Sequence, residues 1–401
     1  MNPIQDFPAK KNNELSEMFN EYVLPTYGRY PVAFVRGHEC RLVDIEGKEY
    51  IDFTSGIGVA SIGHGHPYWV AAIAAQAGLL AHTSNLYYTV PGLKLAERMC
   101  GFSKMCGAFF SNSGAESNEG LFKVARKYSK DKYGSGRHNI ITLRDSFHGR
   151  TLAAISATGQ DKFHQHFDPF MPGFYFAPPN DIEAVREHKD DVCAVLIELI
   201  QGEGGVNPLD AAYVKQLAEL CKERDWLLMI DEVQTGIGRT GSWFAFLDYD
   251  IQPDAVSFAK GIAGGLPLGG FLVNDKLRGV LGPGDHATTY GGNLICCAAA
   301  LATLDVLEPL LPQVKVKGEY IRKKIMDMKL PHVLDVRGKG LMIGVKIKDI
   351  PPADINIKLL ENGLAGLTAG TDIIRFLPPL IIGYNDIDAG LEIFEKVMRG
   401  F

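Results

Sequence analysis

Between residues 68 and 290 the chain alternates short, unbroken apolar runs with longer stretches of helical periodicity, and that alternation leaves few folds open. The apolar runs are Ala108-Phe109-Phe110, Asn139 to Leu143, Val192 to Ile197, Trp226 to Ile230, Ala255 to Phe258 and Phe271 to Val273. The helical stretches are 69–81, 114–129 and 211–224. A strand that is apolar throughout must be covered on both faces. The pattern therefore predicts an α/β fold, a mostly parallel central sheet between helical layers. Ligands of such sheets sit at the carboxyl ends of the strands.

The flanks differ. Val32 to Phe53 reads as a small antiparallel β unit turning at Glu46-Gly47-Lys48. After Gly292, helical stretches (294–310, 313–328, 353–362, 386–398) and strand-like ones (333–347, 372–377) predict a smaller α+β domain. The expected division is a large domain over 68–292 and a small one over 293–401, with residues 1–67 joining the small one.

Composition removes several function classes. Formal net charge is −6 with no basic block, which argues against nucleic acid and anionic membranes as partners. No uncharged apolar run approaches the ~18 residues of a membrane span. The polar start, Met1 to Asp6, lacks a signal-peptide core. Seven scattered cysteines without CxxC or finger spacing suggest reduced thiols and a cytoplasmic setting. His64 with His66, and His164 with His166, find no third ligand at metal-binding spacing, so no metal is expected.

The chemistry-bearing residues gather at predicted strand ends. Lys260 follows the run ending at Ala259 and precedes Gly261-Ile262-Ala263-Gly264-Gly265, small neighbours that leave room for a planar partner. A desolvated lysine there suits a Schiff base with pyridoxal phosphate. Asp231 ends another apolar run, where a protonated pyridine nitrogen would balance its charge. Ser113-Gly114-Ala115-Glu116 opens a helix with capping-box spacing and free amides for a phosphate. Phe147 and Arg150 offer an aromatic face and a carboxylate-binding fork. Arg375 stands alone in an apolar strand and needs an anion; Glu203, in the loop after Glu198, is a candidate partner. Thr288 and Thr289 precede a helix start and offer hydroxyls. Gly236 to Gly241 matches G-x-G-x-x-G, but no clear helix opens on it, which weakens a dinucleotide-binding reading.

Together, and in this order, these motifs resemble the class III pyridoxal-phosphate aminotransferases of fold type I, from about Tyr27 to Pro379. Gly47 to Phe53, Gly63-His64-Gly65-His66-Pro67 and Tyr27 with Pro31-Val32 fit the resemblance too. It implies Lys260 as the Schiff-base lysine and Asp231 as the pyridine partner. It implies cofactor contacts from Ser113, Gly114, Ala115, Phe147, Glu232, Val233 and Gln234, and from Thr289 of a neighbouring subunit. It implies Arg150 and Thr288 at the donor's carboxylate end, with Tyr27 and Glu198 also binding substrate. Arg375 would bind 2-oxoglutarate, with Glu203 as its switch. The implied protein is a homodimer with active sites at the subunit interface. The implied donor is N2-acetylornithine; ornithine, GABA, succinylornithine and lysine-pathway amines remain alternatives, as does a semialdehyde aminomutase. Ile57 argues against free ornithine, since relatives that use it carry a tyrosine there.

Overall fold

The computed structural model describes residues 11–188 and 190–401; the polar start, residues 1–6, lies outside them. At its centre is a seven-stranded sheet in the order Gly107–Ser111, Gly269–Val273, Ala255–Phe258, Leu227–Asp231, Val192–Ile197, Asn139–Leu143, Phe174–Ala177. Six strands run one way and Gly269–Val273 runs against them. Val192–Ile197 and Leu227–Asp231 are buried at every position, as their apolar runs require. Alternate residues of one strand serve opposite cores. Leu228 and Ile230 join one apolar cluster, Leu227 and Met229 the other. Each such side chain contributes about 2 kcal/mol relative to exposure.

Helices cover both faces. Gly114–Tyr133 sends Leu121, Phe122 and Ala125 into one core, and Ala211–Arg224 sends Val214, Leu217 and Leu220 into the other. The helical run Leu294–Asp327 has the length to cross a bilayer, and its most apolar 18 residues reach a mean hydropathy of 1.9. Within the fold, Leu294, Cys297, Ala300, Leu304 and Leu307 of that run are buried.

Phe34–His38, Arg41–Asp44 and Glu49–Asp52 form an antiparallel sheet, which Leu364–Ala365 extends in parallel from the far end of the chain. Val333–Lys339, Met342–Ile347, Ile373–Phe376 and Leu367–Ala369 form another. The stretch 333–347 is thus a hairpin, not one strand. Its turn escapes a reading of apolar pattern because Leu341, at the tip, is itself fully buried. Gly340 takes the left-handed backbone (φ +53°) that closes it.

Candidate active site

Five strands of the main sheet deliver functional groups to one edge. Ser111 leads to Ser113 and Gly114, Leu143 to Phe147, and Ile197 to Glu198. Asp231 ends its own strand, and Phe258 leads to Lys260. Around that edge lies a cavity of about 420 Å³, lined among others by Ser113, Gly114, Ala115, Phe147, Arg150, Glu198, Asp231, Val233, Gln234 and Lys260.

Lys260 opens a single 3₁₀ turn, Lys260–Ala263, with φ +45°. Its side chain makes no hydrogen bond or ion pair with any described residue. Burial lowers its pKa; Glu203 acts against that shift and Arg375 with it. An amine whose charge is disfavoured by burial, set in the wall of a cavity, suits a nucleophile.

Asp231 is held from three sides. Its Oδ2 accepts from Asn118 Nδ2 and His148 Nδ1, each at 2.8 Å, and its Oδ1 from the Val233 amide at 3.0 Å. These donors fix the carboxylate in direction. Neither Asn118 nor His148 was singled out from sequence. Asn118 lies one helical turn beyond Gly114, and His148 directly follows Phe147, so spacing alone carried the signal. Asn118 Oδ1 and His148 Nε2 are buried with no partner.

The helix Gly114–Tyr133 is capped at Ser113, whose Oγ accepts from the Glu116 amide at 3.2 Å. Glu116 returns a bond by accepting from the Asn112 amide at 2.7 Å. The amides of Gly114 and Ala115 have no intrahelical acceptor and lie at the positive end of a 20-residue helix. A Cβ on Gly114 would come within 2.7 Å of Val233, so a ligand there meets bare backbone. Amine, fixed carboxylate, helix start and an aromatic side chain fit pyridoxal phosphate. Lys260 would take its aldehyde, Asp231 its ring nitrogen, and Gly114 and Ala115 its phosphate.

Arg375 sits beside this cavity, 2% exposed. It donates to Glu203 Oε1 at 2.9 Å, to the Gly202 carbonyl at 3.0 Å and to Gln234 Oε1 at 3.3 Å. Its Nε is buried without a partner, while Glu203 keeps 30% of its side chain exposed. The pair thus joins a buried arginine with one unfilled donor to a partly exposed acid. Glu198 accepts from the amides of Phe147 (2.8 Å) and Gly202 (3.2 Å), and burial pushes its pKa up to about 7. It ties the Phe147 loop to the Glu203 loop.

Other expected site residues lie elsewhere. Glu232, expected among the cofactor contacts, is turned away: successive residues at a strand end point to opposite sides. It accepts from Thr235 Oγ1 (2.5 Å) and the Phe246 amide (2.8 Å), and burial raises its pKa to about 7. Thr288 and Thr289 do not line the cavity; Thr288 Oγ1 accepts from Asn112 Nδ2 at 3.1 Å, just outside the helix start. Tyr27 is 74% exposed and lines a separate hollow with Phe19, Arg29 and Ile57. His64 pairs with Asp52 Oδ2 at 2.8 Å and His164 with the Ile155 carbonyl at 2.8 Å. Gly236 to Gly241 forms turns with no α-helix opening on the last glycine. Its Arg239 is buried and donates to the carbonyls of Leu341 and Pro378.

Ser55, Gly56, Ile57 and Gly58 all have positive φ (+41°, +62°, +66°, +78°). A β-branched residue in that region is a strained outlier. Ile57→Gly is expected to raise unfolding stability by about 1 kcal/mol, strain relief outweighing the extra chain entropy. Chemical denaturation of both proteins measures this; a loss of stability contradicts it.

The family model for class-III aminotransferases matches residues 22–398. The chain is 47% identical to an acetylornithine aminotransferase of Haemophilus ducreyi, over 96% of this chain and 99% of that protein. It is 44% identical to one of Methanocaldococcus jannaschii, over 95% and 97%. Among solved structures, the ornithine aminotransferase of Toxoplasma gondii superposes with a TM-score of 0.94 at 31% identity, covering 98% of this chain and 96% of that one. The acetylornithine aminotransferase of Elizabethkingia anophelis gives 0.88 at 32%, covering 98% and 100%.

Proposed function

Because the chain belongs to the class-III aminotransferases, we propose that it transfers the terminal amine of N2-acetylornithine to 2-oxoglutarate, releasing N-acetylglutamate 5-semialdehyde and glutamate in arginine biosynthesis. It is a pyridoxal-phosphate-dependent aminotransferase acting on an amino donor and a keto acid. When bound, pyridoxal phosphate supplies an aldehyde and a ring that takes up the electron pair released at the donor carbon. The chain supplies the rest. Asp231 holds the proton on the ring nitrogen. Gly114 and Ala115 hold the phosphate, with Ser113 beside them. Phe147, Val233 and Gln234 bound the ring. Lys260, with its amine free, would take the proton from the donor carbon. Arg150, which lines the cavity, serves the donor's carboxylate.

The Arg375–Glu203 pair carries this reading. A terminal-amine donor has only hydrogens where glutamate has its α-carboxylate. The arginine must therefore be neutralised in one half-reaction and free in the other, and a partly exposed acid that swings away supplies both states. The donor itself rests on the relatives' names. A donor panel tests it: N2-acetylornithine should exceed ornithine, GABA and succinylornithine in kcat/KM by about tenfold or more. A higher value for any of these overturns the donor assignment. Amine exchange that needs no 2-oxoglutarate would favour an aminomutase instead.

Arg375→Gln is expected to cost about 100-fold in kcat/KM for 2-oxoglutarate, the loss of a charge-assisted pair in a buried site, and far less in the donor half-reaction. Single-turnover absorbance changes separate the two; equal losses in both contradict the assignment.

A homodimer completes the proposal, with the partner subunit's Thr289 reaching the phosphate. Leu79, Leu86, Tyr88, Val90 and Leu93 are between 64% and 107% exposed, an apolar surface that supports association. Its seven unpaired thiols suit the cytoplasm.

A further inference from the structure

Arg150 lines the cavity, yet it makes no hydrogen bond or ion pair with any described residue. Two rings hold it instead. Its guanidinium carbon lies 4.2 Å from the centroid of Phe163 and 5.6 Å from that of Phe147. Phe163 ends a short 3₁₀ turn, Asp161–Phe163, and packs edge-on against Phe147 with centroids 5.6 Å apart. The Lys162 ammonium is 4.9 Å from the same centroid.

This arrangement has a chemical consequence. An acid partner would hold Arg150 equally well, but it would occupy the N–H donors and compete with an incoming carboxylate. A ring face attracts the cation through its quadrupole and leaves the in-plane donors free. An arginine without such support spreads over many rotamers and gives up that freedom when it binds. We propose that Phe163 is a positioning residue: its ring presents Arg150 to the donor's carboxylate and so sets the preference for donors that carry one. This rests on the placement of the donor's carboxylate at Arg150 given above.

The test uses the holoenzyme with two donors, N2-acetylornithine and N-acetylputrescine, the same terminal amine without the carboxylate. Phe163→Leu keeps apolar bulk and removes the ring. It should raise KM for N2-acetylornithine about fivefold and change kcat less than about twofold. The efficiency with N-acetylputrescine and the bound-cofactor absorbance should stay unchanged. Phe163→Tyr should restore the wild-type KM. The double variant with Arg150→Gln should be no worse than Arg150→Gln alone, since both remove one interaction. Equal losses with both donors would mean that Phe163 acts only by packing on Phe147, and the proposal falls. It falls too if Phe163→Leu leaves KM unmoved while Arg150→Gln raises it. If Arg150→Gln itself leaves KM unmoved, the carboxylate's placement fails first and this inference with it.

Discussion

Lys260→Ala is expected to fold normally and to lose turnover by about four orders of magnitude or more. One change removes two functions, the covalent anchor of the cofactor and the base that moves the proton. Folding should survive for a physical reason. The lysine side chain makes no bond to any described residue, and burial already disfavours its charge, so its removal breaks no ion pair. The backbone strain at φ +45° is the same for alanine. The variant should bind pyridoxal phosphate without the absorbance of an imine, and borohydride should label no peptide. In the wild-type protein, reduction followed by peptide mapping should place the label on Lys260. A small primary amine added to the variant should restore part of the proton-transfer rate. A wild-type label on any other lysine would sink the assignment, and so would a variant within tenfold of normal turnover.

The strands that deliver this lysine and its neighbours were legible because they are buried on both faces. Val192 to Ile197 and Ala255 to Phe258 need no periodicity to be seen; an unbroken apolar run between helices has few other uses. Lys260, Asp231 and Gly114 follow such runs directly, so local sequence placed them together at one sheet edge. What stayed hidden depends on contacts between distant elements. The helix Val90–Ser103 carries only three buried side chains, too few for a clear stripe. The edge strand Phe174–Ala177 is half-buried and too short to alternate. His148 and Asn118 look ordinary in sequence and matter only because they converge on Asp231 from a loop and a helix. Glu232 misled for the opposite reason: it stands beside Asp231 in sequence, but the strand's alternation sends its carboxylate to the Phe246 amide.

That convergence on Asp231 makes its replacement the second large effect. Asp231→Asn is expected to slow the donor half-reaction by roughly 10²- to 10³-fold, about 3–4 kcal/mol of transition-state stabilisation. The carboxylate's Oδ2 receives two donors, Asn118 Nδ2 and His148 Nδ1. An asparagine must therefore turn its oxygen toward them and present its NH₂ elsewhere. It then has no anion for the ring nitrogen, the nitrogen loses its proton, and the ring weakens as an electron sink. The lysine linkage does not depend on that proton, so borohydride labelling of Lys260 should persist in the variant. Asp231→Glu should recover much of the rate, because it keeps the charge and only displaces it. The decisive measurement is the single-turnover rate with N2-acetylornithine in the three proteins. An Asp231→Asn rate within about threefold of wild type would mean that the carboxylate merely braces His148 and Asn118, and that the ring's proton is held by some other group.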